Sequence, residues 1–164
     1  MSDSSKMLLG GGRLTINNVD VGYLLDNVEL NVTKTYEDHY TGIPLTLSGR
    51  TPKQETMTLS ASLAQITPEN ICPALGIAVP SGSGTLTLNI GVAGSSPAVL
   101  SNVVFVGKRL DGEDVRIEMP RAYSEGDLKL TFSQSLSAYM SIGLKLVAFK
   151  SQSSDVLGSI KLKA

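Results

Sequence analysis

Tryptophan is absent, aromatic residues make up 5% of the 164-residue chain, and there is a single cysteine and a single histidine. With so few aromatic side chains, stacking platforms for single-stranded nucleic acid are not expected. Cys72 has no partner for an intrachain disulfide, so the fold does not require an oxidising compartment. One His and one Cys far apart in sequence do not make the usual spacing of zinc ligands. Charge is scarce as well: 18% of residues are charged, against a usual ~25%. The formal net charge of −1 supplies no excess of Lys and Arg for gripping a phosphate backbone. Long apolar runs are missing too. No stretch approaches the ~18 apolar residues of a membrane span, so no membrane insertion is expected. Met1-Ser2-Asp3-Ser4-Ser5-Lys6 lacks a signal-peptide core, and Met7-Leu8-Leu9 is too short to be one. The expected setting is a reducing cytoplasm.

What the chain does have is alternation. A period of two in apolar residues marks half-buried strands. Residues 1 to 12, ending in Gly10-Gly11-Gly12, read as a flexible N-terminal arm. Arg13 to Val21 reads as a hairpin turning at Asn17-Asn18, which tolerate positive φ. Asn27 to Tyr36 places Val28, Leu30 and Val32 on one face, and Thr56 to Ile66 does the same with Met57, Leu59, Ala61 and Leu63. Leu86, Leu88 and Ile90 mark a further strand, as do Leu128, Leu130 and Phe132, and Ile142, Leu144, Leu146 and Ala148. Ser101 to Leu110 and Glu113 to Met119 read as a hairpin on a two-residue Asp111-Gly112 turn, pairing Val106 with Ile117 and Arg109 with Asp114. One helix is expected, near 67–75. Thr67 is its N-cap, Pro68 takes the first helical position and Gly76 supplies the left-handed stop. Residues 150 to 164 read as a C-terminal arm closing in a short strand with Ile160 and Leu162.

From Glu37 to Glu55 the alternation fails. Glu37, Asp38, His39, Gly42, Pro44, Gly49, Arg50, Pro52 and Lys53 give this stretch the punctuation of a long loop. Loops of this length inside compact domains are uncommon and often functional. The fold class is therefore mainly β: a single domain, a two-sheet β-sandwich or barrel flanked by one short helix, with extended arms and a long loop.

No set of acid, base and nucleophile is visible, so the expected function is assembly rather than catalysis. His39 has no evident partner for base chemistry, and the glycine-rich stretches lack the strand-to-helix context and terminal Lys-Ser or Lys-Thr of a phosphate loop. Asp111, Glu113 and Asp114 crowd a hairpin tip without the spacing of an EF-hand. No cofactor or metal is expected. Strand faces rich in Ser, Thr and Asn suit hydrated contact with something that must not stick, or lateral contact with a copy of the same chain. Head-to-tail contacts of that kind close into rings when the rotation permits.

In their order along the chain, several stretches resemble the major tail tube proteins of long-tailed bacteriophages. They are Arg13-Leu14-Thr15-Ile16-Asn17-Asn18-Val19-Asp20-Val21-Gly22, then Ile66 to Ile71 with Ala74-Leu75-Gly76, then Asp111-Gly112, Val115 to Ala122 and Gly126 to Leu130. The likeness spans roughly residues 13 to 149 and implies six copies to a ring, with rings stacked into a hollow tube that carries viral DNA into the host. It implies an inter-ring role for the loop carrying Glu37, Asp38, His39, Tyr40, Arg50, Lys53 and Glu55, and inter-subunit contacts by arms carrying Met7, Leu8, Leu9, Ile160 and Leu162. The implied partners are the chain itself, other tail proteins at the tube ends, and a tape-measure protein and DNA as contents of the lumen. A lumen that passes DNA should be neutral or acidic, because a basic wall would hold it. The tube of a contractile tail or injection system is an alternative within this architecture. A monomeric β-sandwich binding module, recognising its partner through residues 37 to 55, is an alternative of another class.

Overall fold

In the computed structural model, residues 8–22, 24, 28–91, 96–125, 128, 142–150 and 156–163 are described. Among the described residues the chain is mainly β with one short helix. The elements in order are β1 (Leu8–Ile16), β2 (Val19–Asp20), β3 (Glu29–Thr41), β4 (Thr46–Leu63), α1 (Pro68–Leu75), β5 (Leu100–Arg109), β6 (Asp114–Ser124), β7 (Ile142–Ala148) and β8 (Ser159–Leu162). All eight strands belong to one antiparallel sheet, ordered β2-β1-β5-β6-β7-β4-β3, with β8 also on β6. The sheet curls. Leu24, shortly after β2, bridges to Leu63 at the end of β4, so its two flanks meet at one end. β6 shares one edge between two partners: β7 pairs with Ala122 to Ser124, and β8 with Val115 to Glu118.

The alternating residues fill the space that the curl encloses. Leu14 and Ile16 of β1, Leu59 and Leu63 of β4, Leu100 and Val103 of β5, Met119 of β6 and Ile142, Leu144 and Leu146 of β7 are buried in one cluster. Each fully buried side chain of this size contributes about 1.5–3 kcal/mol by leaving water. Asn17 (φ 52) and Asn18 (φ 66) turn the first hairpin, as their tolerance of positive φ predicts. Helix α1 closes on Gly76 with φ 70. Thr67 stands at its N-cap position, but its side chain makes no capping hydrogen bond. Buried Asn70 ties the helix to the sheet instead, donating to Val21 O and Gln65 O, both at 2.9 Å.

Four expectations are corrected. Leu8 to Gly12 do not form a free arm, because they lie in β1 and pair with β5. At Gly12 the glycine is required: a Cβ there would overlap the ring of Phe105 on the neighbouring strand. The β5–β6 hairpin is one residue out of the expected register, with Phe105 opposite Ile117 and Lys108 opposite Asp114. Its turn is a three-residue loop closed by Arg109 N donating to Glu113 O at 2.9 Å, with Gly112 left-handed at φ 83. Leu86, Leu88 and Ile90 are not in a strand. Their alternation is real, with Leu86 and Leu88 half-buried, but among the described residues no strand edge pairs with them. Finally, most of 37 to 55 is strand rather than loop. The expected strand at Leu130 and Phe132 and the residue Met7 lie outside the described residues.

Candidate assembly surface

β3 and β4 form one long hairpin with thirteen register pairs, from Glu29–Ser60 to Thr41–Thr46. Dense Thr, Val and Tyr favour the extended backbone, and Gly42 (φ 90) allows the reversal at the apex. The alternation breaks in sequence because β4 carries two bulged residues. Lys53 sits between the partners of Thr35 and Tyr36, and Ser48 between the partners of His39 and Tyr40. Each extra residue reverses the faces of β4 beyond it, so a period of two cannot persist. β7 supports β4 only as far as Thr58. Beyond Met57 the hairpin is a two-stranded ribbon about 30 Å long at ~3.3 Å per residue.

The register sorts the ribbon into two unlike faces. One continues the core outward, through Leu30 with Leu59, Val32 with Met57, Tyr36 with Pro52 and Tyr40 with Leu47. Tyr36 is 48% exposed, Tyr40 56% and Leu47 51%, while Ile43 and Leu45 at the apex are 103% and 75% exposed. Charges on this face are already paired. Arg50 Nε donates to Asp38 Oδ1 at 2.6 Å, and Lys34 Nζ lies 3.1 Å from Glu55 Oε1. Hydrogen bonding and charge from these carboxylates hold both cations above their ordinary pKa values. The other face presents Glu29, Asn31, Thr33, Thr35, Glu37, His39 and Thr41, opposite Ser60, Thr58, Thr56, Gln54, Thr51, Gly49 and Thr46. It has two carboxylates and no Lys or Arg. His39 Nε2 lies 2.7 Å from Thr51 Oγ1, and Ser48 Oγ donates to His39 O at 3.0 Å.

The residues expected in an inter-ring loop are thus split by the ribbon. Asp38, Tyr40, Arg50 and Glu55 share the apolar face, Glu37 and His39 share the polar one, and Lys53 is the bulge. Cross-strand register carries this information, and residue type alone gives no sign of it.

The expected C-terminal strand exists and pairs within its own sheet. β8 sits on β6 from Val115–Leu162 to Glu118–Ser159, which puts Ile160 and Leu162, both half-exposed, on the same face as Ile117 and Val115. Ion pairs fasten it. Lys161 Nζ lies 2.6 Å from Glu118 Oε2, Lys163 Nζ lies 2.5 Å from Glu113 Oε1, and Arg109 Nη1 donates to Lys163 O at 2.9 Å. Arg109 also holds the Asp111 carboxylate. The hydrogen bond from Lys161 depresses the Glu118 pKa, and that from Arg109 depresses the Asp111 pKa.

Between the base of the ribbon and the 156–160 segment lies a cleft of about 870 Å³, lined by Val32, Met57, Phe149, Leu157 and Ile160, with Lys53 and Glu55 on the β4 side. Among the described residues no group of three or more His, Cys, Asp or Glu side chains could hold a metal ion, and no helix is long and apolar enough to cross a membrane. Cys72 is buried, which pushes its thiol pKa up. No protein-family model matches the chain, and no curated protein matches it either.

Proposed function

We propose that this chain is the structural subunit of a phage tail tube, assembling into hexameric rings that stack as a hollow conduit for viral DNA. One observation carries the proposal: a two-stranded ribbon stands out from the sheet with an apolar face in water. An isolated hairpin is marginal in water, and several large apolar side chains in a row on one surface mark a contact site. The two faces suit two surroundings. The face with Tyr36, Tyr40 and Leu47 meets identical neighbours, which cover it without stranding a charge, because Asp38–Arg50 and Lys34–Glu55 are already paired. The face with Glu29 and Glu37 meets the lumen: the register pairs of β3 and β4 add no Lys or Arg to it, and Lys145 of β7, opposite Ser60, is paired with Glu125, so the wall is neutral or acidic and lets DNA slide. In this arrangement the protein resides in the virion tail, is made in the host cytoplasm, meets other tail proteins at the tube ends, and surrounds the tape-measure protein and then DNA.

Negative-stain microscopy of the purified chain at high concentration tests this. Stacked rings or hollow tubes are expected, and a strict monomer would favour a binding module built on the same ribbon. Deleting residues 38 to 54 should leave the body folded, because the core cluster takes no residue from that span, but should weaken stacking.

A further inference from the structure

We propose that the apex of the ribbon, Gly42 to Leu45, seats in the cleft between β4 and β8 of a second copy. This rests on the assembly proposed above and specifies its axial contact. The cleft exists because strand pairing leaves a gap: β4 pairs with β7 only from Thr58 to Leu63, and β8 pairs with β6 rather than with β4. At its closed end Gly158 lies against Met57, where a Cβ would come within 2.6 Å of Met57 Sδ and Glu118 O. Its lining runs on to Gln54 and Pro52, toward the free end of the ribbon.

Its occupant follows from three facts. The cleft is lined by Val32, Met57, Leu157 and Ile160, with Lys53, Glu55 and Lys150 also on its walls, and its volume of about 870 Å³ is within the roughly 300–1,000 Å³ of pockets that enclose a compact ligand. The apex is apolar and projects furthest into water, and no residue from His39 to Gly49 carries a carboxylate, ammonium or guanidinium group, so burying it strands no such charge. The chain's own apex is out of reach, because the cleft flanks the lower part of the same ribbon and ends at Pro52, five register pairs short of Thr46, roughly 15–20 Å away. Another copy can deliver it. One apex offers less than the ~800 Å² per partner of a stable interface. The contact therefore holds as one of a repeating set rather than as a dimer. Donor and acceptor are different surfaces, so the contact is head-to-tail and propagates with a step close to the ribbon's length.

Disulfide trapping tests this in the full chain. Ile43→Cys and Ile160→Cys in one molecule lie too far apart to bridge to each other, since bridged Cα atoms are within about 7 Å. Native Cys72 is buried and does not compete. After oxidation of assembled protein, a ladder of multimers on a non-reducing gel is expected, at least tenfold above either single-cysteine variant, which can form only dimers. Adding Leu45→Asp to the pair should remove the ladder. Tubes that form normally yet give no ladder would overturn the tip-in-cleft contact and leave assembly standing. A wild-type chain that stays monomeric would overturn assembly itself. Flotation of the wild type with phosphatidylcholine–phosphatidylglycerol vesicles, abolished by Ile43→Asp, would also overturn the contact, since the apex would then be seated in lipid.

Discussion

Replacing Leu47 by aspartate separates the fold of the chain from its assembly. Leu47 faces Tyr40 across the ribbon and is 51% exposed, so the free monomer already wets half of it. Within the monomer the change removes one cross-strand pair, about 0.2–1 kcal/mol, and opens no cavity. At an interface the loss is larger. Covering the exposed half of a leucine is worth roughly 1 kcal/mol, half of the ~1.5–3 for full burial. An aspartate there must also leave water unpaired, at a further cost of about 2 kcal/mol or more. Together these come to ~3 kcal/mol per contact, about a hundredfold in association at 1.4 kcal/mol per tenfold. Sedimentation velocity over a dilution series reads the concentration at which assemblies appear. Leu47→Asp should raise that threshold by about two orders of magnitude, with the monomer's thermal midpoint nearly unchanged. Thr33→Glu, on the opposite face, should leave both in place. Equal thresholds for Leu47→Asp and wild type, or an equal loss for Thr33→Glu, would refute the assignment of faces.

Other outcomes follow from the same geometry. Leu146→Ala, at a position 0% exposed, should cost about 2–5 kcal/mol in urea denaturation, through lost burial and the cavity left behind. Asn70→Ala should cost about 1–3 kcal/mol by the same measurement, because Val21 O and Gln65 O both lose their donor. The folded-state pKa values of Glu118 and Asp111 lie below their unfolded ones. Their contribution is therefore complete above about pH 5 and lost as pH falls through the depressed values. Hydrogen exchange at 160–162 should accelerate in acid before exchange in β7 does. In assembled tubes, Glu29→Lys with Glu37→Lys should retain short duplex DNA at low salt and release it as salt rises, whereas the wild type should retain none.

The parts of the fold legible in the sequence are those where each strand keeps one face buried along its length. Met57 to Leu63 and Ile142 to Ala148 alternate without interruption because both line the core, and Pro68 and Gly76 mark the ends of α1. Elsewhere a local competitor decided the outcome. At the β5–β6 turn, Arg109 captures Asp111, and the Asp111 carboxylate accepts from Glu113 N at 3.1 Å. The turn is consequently one residue longer than Asp-Gly alone suggests, and every pair in the hairpin shifts. In the ribbon, Lys53 and Ser48 each reverse the faces of β4, so the candidate surface looks aperiodic although it is regularly paired. Gly49 and Pro52 also read as loop residues, yet both fit because β7 does not reach that part of β4, and its edge there requires no continuous ladder. Leu86 to Ile90 misleads in the opposite direction, since a pattern of two without an edge to pair with does not make a strand.

β4 runs for eighteen residues from the turn at the apex into the centre of the molecule. Its bulges bend it without interrupting it, so no joint separates the exposed end from Leu63, and α1 begins five positions later. A load applied at the apex therefore travels along a continuous lever into the packed interior. In a stack of such subunits, stiffness along the long axis would come from the strand itself, and a disturbance at one level would be felt by the body of the next.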